Sequence, residues 1–396
     1  MSLKQNVREL LALPEDEQRS KGYFHTLREI FQQPATWMDT CDRVAASAGM
    51  LEGVANGIQS LVLTGSGSSQ FAGECVRLVL QKELGVTADA IGGGTLLTHR
   101  AAALPPGRPG LMISLARSGD SPESVAAVSL VLEAEPQMRH LVITCNKSGK
   151  LATTYRDDGR VRVIVLDDRT NDRSLVMTSS FTNMALAARF LGMRHAPDRY
   201  RLVCERLSRA CTELLESGLE PLEHAAATGF RRAVFLASGS RFGAARESAL
   251  KMLEMTAGRV GTMCETYLGV RHGPMSYIHE DTLVVCFLSS DPLLRAYEAD
   301  LIRELDRKRL GLAKVIVGEK VPAELLRQGD AAVECRGLAE TGDENAPVLD
   351  AVVGQLLATL RCLGEGLRPD SPSESGVINR VVESFPVHRG RGQADA

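Results

Sequence analysis

Short apolar runs alternate with longer stretches of helical spacing along most of this chain. From residue 60 onward the runs 61–64 (LVLT), 111–115 (LMISL), 140–144 (HLVIT) and 161–166 (VRVIVL) predict buried strands, and 70–82, 122–134 and 180–192 predict the helices between them. Strands that are apolar on both faces and alternate with helices point to a parallel sheet covered on each side. The pattern then restarts with strands at 233–237 (AVFLA), 283–288 (LVVCFL) and 313–317 (AKVIV), and helices at 244–256 and 348–362. Ahead of both blocks, Val7, Leu10 and Leu11, then Leu27, Ile30 and Phe31, carry helical spacing broken by Pro14 and Pro34. The reading is α/β: two tandem α/β/α layered domains behind a helical segment. The divisions fall at 1–45, 46–200, 201–368 and a tail at 369–396, with the junction between the two blocks in the 200–225 region.

In an open parallel sheet, ligands sit beyond the carboxyl ends of the strands. Every serine-rich segment here falls there. Thr64-Gly65-Ser66-Gly67-Ser68-Ser69 leaves the first strand and opens a helix, so backbone N–H groups and hydroxyls converge on a place suited to an anion. Ser114-Leu115-Ala116-Arg117-Ser118-Gly119-Asp120-Ser121-Pro122 repeats the arrangement after the next strand, with Asp120 or Ser121 as N-cap, Pro122 in the first turn and Arg117 adding a charge. A glycine turn with an N-cap explains one such loop. Two on neighbouring strands favour a phosphate site. The first is neither a dinucleotide fingerprint, which wants glycine where Gln70 stands, nor a P-loop, which wants lysine after the last glycine. Thr178-Ser179-Ser180 opens the helix over 180–192, where capping and ligand contact both stand as readings.

In the second block Glu247, Lys251 and Glu254 share one helix face, a spacing that solvated salt bridges also use. Shortly after, His272 sits in Gly269-Val270-Arg271-His272-Gly273-Pro274, a sharply turned loop. His279-Glu280-Asp281 has no third ligand at metal-site spacing and is read as a loop, so no metal is expected.

Composition narrows the partners. Over 396 residues the net charge is −3, which gives no electrostatic case for nucleic acid or an anionic membrane, and the expected partner is a small molecule. Aromatic residues are 4% and Trp37 is the only tryptophan, so a sugar would be held by hydrogen bonds rather than stacking. Nine scattered cysteines without C-x-x-C pairs read as reduced core residues. With no signal-like segment over Met1–Leu13 and no long uninterrupted apolar span, the expected location is the cytoplasm.

TGSGSSQFAGE (64–74), SLARSGDSPES (114–124), NDRSLVMTSSFTNM (171–184), ESALKMLEMTAG (247–258), RHGPMSYI (271–278) and the tail segment PSESGVINRVVES (372–384) together resemble the tandem sugar isomerase (SIS) proteins. The resemblance spans almost the whole chain. It is strongest to the tagatose-6-phosphate ketose/aldose isomerase group, also described as galactosamine-6-phosphate deaminases, and extends to the isomerase half of glucosamine-6-phosphate synthase. It implies flavodoxin-like sheets, no cofactor, and a homodimer or higher homo-oligomer in which a neighbouring subunit completes the site.

The resemblance to the synthase also implies roles for individual residues. Ser68 and Ser69, Arg117, Ser118 and Ser121, and Thr178 and Ser179 would bind the phosphosugar. Glu254 would be the acid/base, Lys251 would orient or polarise the substrate oxygen, and His272 would open the ring. Two departures stand out: Ala116 occupies a position that is serine in the synthase loop, and the spacing from Lys251 to His272 is longer. The implied reaction converts galactosamine 6-phosphate to tagatose 6-phosphate and ammonia. The alternatives are simple ketose/aldose isomerisation and a non-catalytic phosphosugar sensor. Release of ammonia rather than synthesis is expected, because a helical segment stands where the synthase carries its glutaminase domain.

Overall fold

In a computed structural model, described over residues 6–104, 107–373 and 375–388, the alternation becomes two five-stranded sheets, parallel throughout. The first comprises β1 (Ser60–Gly65), β2 (Thr87–Gly92), β3 (Gly110–Ala116), β4 (Met138–Thr144) and β5 (Val161–Val165), in the order β2-β1-β3-β4-β5. The second comprises β6 (Arg232–Ala237), β7 (Gly261–Thr266), β8 (Thr282–Phe287), β9 (Ala313–Gly318) and β10 (Ala331–Glu334), in the order β10-β9-β8-β6-β7. Counted from its own first strand, each sheet runs 2-1-3-4-5. This is the flavodoxin-like order, used twice.

Six of the seven apolar runs found in the sequence are the inner strands β1, β3, β4, β6, β8 and β9, largely buried because helices cover both faces, and the seventh, at 161–166, is the edge strand β5. The strands that the pattern did not show, β2, β7 and β10, are the edge strands beside β1, β6 and β9. These three are only partly covered and carry no apolar run, whereas β5, also at an edge, keeps Val161 and Ile164 buried.

Alternate side chains of each sheet feed different cores. Leu61, Leu63, Ile113 and Ile143 pack with Ala72, Val76, Phe181 and Met184, while Val62, Met112 and Val142 pack with Ala127, Val128 and Val131 of the Pro122–Ala134 helix. Phe235, Val285 and Val315 of the second sheet belong to the same large cluster as Leu63 and Ile113. One core therefore runs between the sheets, filled by the helices Ser68–Leu84, Ser179–Met193, Arg241–Met255 and Pro347–Gly364. The first and third touch closely at Gly243, where a Cβ would come within 2.6 Å of Cys75 N and 2.7 Å of its Sγ.

The N-terminal helical segment is part of this core. Trp37 is fully buried and donates its indole N–H to Thr182 Oγ1 at 2.9 Å, and the Gln33 amide donates to Gln355 Oε1 at 2.8 Å. Pro347–Gly364 is, among the described residues, the one helix long and apolar enough to cross a bilayer, but 89% of it is buried between the halves. All nine cysteines are free, and eight of them are buried. The end of the tail, from 389, lies outside the described residues.

Candidate active site

The two sheets place equivalent loops beyond their β1/β3 and β6/β8 strands, and the two places have different contents. In the second half the Arg241 guanidinium fills the position. It is buried, donates to both Asp350 oxygens at 2.7 Å, and also donates to Leu288 O. Ser290 donates from N and Oγ to Asp343 Oδ1 at 2.9 and 2.7 Å and closes the remainder. The loop Ser238-Gly239-Ser240 that follows β6 therefore leads into a satisfied ion pair.

In the first half the place is open. β1 ends at Gly65, Gly67 turns the chain at φ +56°, and the helix begins at Ser68. A side chain at Gly67 would be strained at that φ. A cleft of about 490 Å³ opens here, bordered by Ser66, Gly67, Ser68, Arg117 and Leu175–Met177 from the first half, and by Lys251 and Glu254 from the second. Beneath the two loops Thr64 Oγ1 and Ser114 Oγ, side by side in the β1/β3 register, are buried without a hydrogen-bond partner. Such orphaned groups are costly in an apolar setting and fit a polar ligand at this end of the sheet.

Lys251 crosses the seam between the halves. Its Nζ donates to Ser68 Oγ at 3.1 Å and to Glu254 Oε2, and lies 3.4 Å from Glu247 Oε1 without an aligned hydrogen bond. Burial alone would lower the ammonium's pKa, but the Glu247 and Glu254 carboxylates outweigh it and hold the pKa above its usual value. Glu247 has no exposure, and burial pushes its carboxyl up to about 7 despite Lys251. Glu254 is the member of the trio that reaches solvent, with 24% of its side chain exposed into the cleft. The face read in sequence as compatible with solvated salt bridges is a largely dry Glu-Lys-Glu cluster.

The other expected residues fall in several places. Ser69 is buried in the first helical turn, with its hydroxyl 3.9 Å from Met177 Sδ. Arg117 borders the cleft, but its guanidinium donates to Leu175 O at 3.0 Å and to Arg380 O. Burial lowers its pKa below the usual guanidinium value. Ser118 and Ser121 are half-buried on the same loop; Ser118 Oγ accepts from Asp120 N at 3.3 Å and the Ser121 hydroxyl donates to Ser124 at 2.8 Å.

Two groups of the expected residues lie away from the cleft of this chain. Thr178 and Ser179 are fully buried away from the cleft, because Asp172 caps their helix: it accepts from Thr178 N at 2.8 Å, Thr178 Oγ1 at 3.0 Å, and Ser179 N and Ser180 N at 3.0 Å. The Ser179 hydroxyl donates to Glu29 O at 2.6 Å. Of the two readings of that segment, capping fits these contacts. His272 stands exposed in the short turn Gly269–His272 beyond edge strand β7 and does not border the cleft of its own chain.

Other residues at the site were not singled out in the sequence. Ser66 borders the cleft through its position in the first loop. The tail closes one side with Val377–Arg380, Val382 and Glu383, which lie within the tail segment 372–384 of the resemblance.

No family model matches the chain. It is 39% identical to AgaS of Streptomyces coelicolor over 373 residues, covering 92% of this chain and 95% of that one. It is 34% identical to the D-galactosamine-6-phosphate deaminase AgaS of Shewanella sp. strain ANA-3 over 386 residues, covering 96% and 95%. Among solved structures, tagatose-6-phosphate ketose/aldose isomerase from Escherichia coli superposes with a TM-score of 0.84 at 30% identity, covering 92% of this chain and 96% of that one. At these identities and coverages the chain belongs to the tandem SIS family of AgaS and tagatose-6-phosphate ketose/aldose isomerase, a family of enzymes.

Proposed function

We propose that this enzyme is an isomerising deaminase that converts galactosamine 6-phosphate and water to tagatose 6-phosphate and ammonia. The observation that carries the reading is the Lys251 ammonium, which joins the serine loop at Ser68 to the solvent-reaching carboxylate Glu254. A phosphate would lie against the 66–69 loop and the helix it opens, with the Ser118 and Ser121 hydroxyls turning to it from the second loop. The sugar would then extend toward Glu254.

In the opened chain C1 is an aldehyde and C2 bears the amine. Glu254 takes the C2 proton, giving an enolamine, and returns a proton to C1. Lys251 stabilises the charge developing on the neighbouring oxygen. The product carries an imine at C2; water adds there and ammonia leaves, so one water is consumed for each ammonia released. A single carboxylate suffices for both proton steps.

No histidine borders the cleft among the described residues, while His272 is exposed. We assign the ring-opening role to His272 from a second copy of the chain, which makes a homo-oligomer the working form.

Simple isomerisation of a neutral hexose 6-phosphate uses the same groups, and the likeness to a structure named as a ketose/aldose isomerase keeps it as the second reading. An ammonia assay separates them: galactosamine 6-phosphate should give one ammonia per ketose formed. Ketose formation from tagatose 6-phosphate's aldose, with no ammonia from any hexosamine 6-phosphate, would select the second reading.

A further inference from the structure

A second polar cavity, of about 590 Å³, lies between the N-terminal helices and the segment 168–173. Its wall carries Arg19, His25, Arg28, Arg169, Arg173 and Arg380. Nothing in the reaction proposed above uses it.

The arginines are only partly paired. Arg19 and Arg28 share one carboxylate, Glu15, at 3.8 and 2.8 Å. Arg169 is paired with Asp39 and Asp167. Among the described residues the Arg173 side chain has no hydrogen-bond or ion-pair partner, and the Arg380 guanidinium meets only neutral acceptors: Asp172 O at 2.7 Å, and Asn171 Oδ1 at 2.7 Å and O at 3.4 Å. Two carboxylates also reach the cavity. Asp168 is exposed at its rim, while Glu29 is turned inward to Arg173 N, Ser174 N and the Ser174 hydroxyl.

The wall is also held in place. The Arg19 and Arg28 guanidinium groups stack over the Phe24 ring, 3.5 and 4.1 Å from its centroid, which fixes two planar donors beside the cavity. Several arginine forks around one space match the geometry of a phosphate group.

Arg380 belongs to both cavities. Its guanidinium faces the basic one, and its carbonyl accepts from Arg117 at the catalytic cleft. An anion drawing on that guanidinium would hold the Val377–Glu383 segment against the cleft. We propose that the basic cavity binds the phosphate group of a small metabolite at a second site, and that Arg380 couples its occupancy to the order of the tail over the catalytic cleft. This inference concerns binding and stands apart from which reaction the enzyme performs.

The test is calorimetric titration of the full chain with inorganic phosphate and, in parallel, with fructose 6-phosphate. The wild type should show two classes of site. Arg28→Gln/Arg173→Gln, which touches neither the serine loops nor Glu254, should weaken one class by about tenfold or more and leave the other within about twofold. Arg19→Gln/Arg173→Gln should do the same and guards against a folding defect peculiar to one variant. Equal filling of the second class by both probes identifies free phosphate as a sufficient ligand, and filling by fructose 6-phosphate alone identifies a sugar phosphate. A single class, unchanged in both double variants, overturns the site. Phosphate should also slow tryptic cleavage after Arg380 in the wild type more than in the variants; equal protection in all three overturns the coupling.

Discussion

The Lys251 ammonium donates to Ser68 Oγ at 3.1 Å across 183 residues of sequence, and so ties the helix that follows β6 to the helix that opens behind β1. Through it Glu254, the proposed acid/base, is set against the serine loop proposed to hold the phosphate. The duplicated fold supplies two equivalent places. Arg241 and Asp350 fill one of them, and the other is an open cleft.

The seam depends on close helix contact at Gly243. Gly243→Ala puts a methyl group 2.6 Å from Cys75 N, so the helices must part or tilt. The expected cost is about 1–3 kcal/mol, and turnover should fall more than substrate affinity because Lys251 and Glu254 shift together. Urea unfolding and steady-state kinetics measure the two effects.

Asp350→Ala should be among the most damaging single changes outside the cleft. It leaves the Arg241 charge buried without its bidentate partner, a loss of about 3–5 kcal/mol. Arg241→Met/Asp350→Leu, which removes both charges, should recover most of that stability in chemical denaturation.

Glu29 gives a pH signature. Burial, with the Asp172 charge adding to it, raises its carboxyl from 4.5 to about 7. Between those values the folded chain keeps a proton that the unfolded chain has released, so this group's contribution to stability declines as pH rises from about 4.5 to about 7. Glu29→Gln should flatten that part of the profile, a change on the order of a few kcal/mol across the window when followed by urea unfolding.

If His272 acts in a neighbouring subunit, two inactive variants can complement each other. Glu254→Gln and His272→Ala, each inactive alone, should regain activity when co-expressed, in subunits that combine an intact Glu254 with an intact partner His272. Activity that does not return in mixed oligomers places His272 outside the reaction.

Much of the fold was legible because seven of the ten strands carry apolar runs and the helices between them keep their period. The three others, β2, β7 and β10, are partly covered strands at sheet edges and carry no such run, although the fourth edge strand, β5, does. At the site, Ser68, Lys251 and Glu254 were readable because they sit on local motifs. What sequence could not show was direction. Thr178 and Ser179 have the hydroxyls of a ligand loop, yet Asp172, six and seven residues earlier, takes Thr178 and the Ser179 N–H for capping. Glu247 looks like a surface carboxylate until the packing of two helices from different halves encloses it, and the tail reaches the cleft only through tertiary structure.

The most direct test is ammonia release from galactosamine 6-phosphate by the wild type and by Glu254→Gln, with phosphosugar binding measured on the same preparations. The account predicts turnover by the wild type and a loss of about a thousandfold or more in the variant, with binding changed by less than about threefold. Near-normal ammonia release by Glu254→Gln would contradict it.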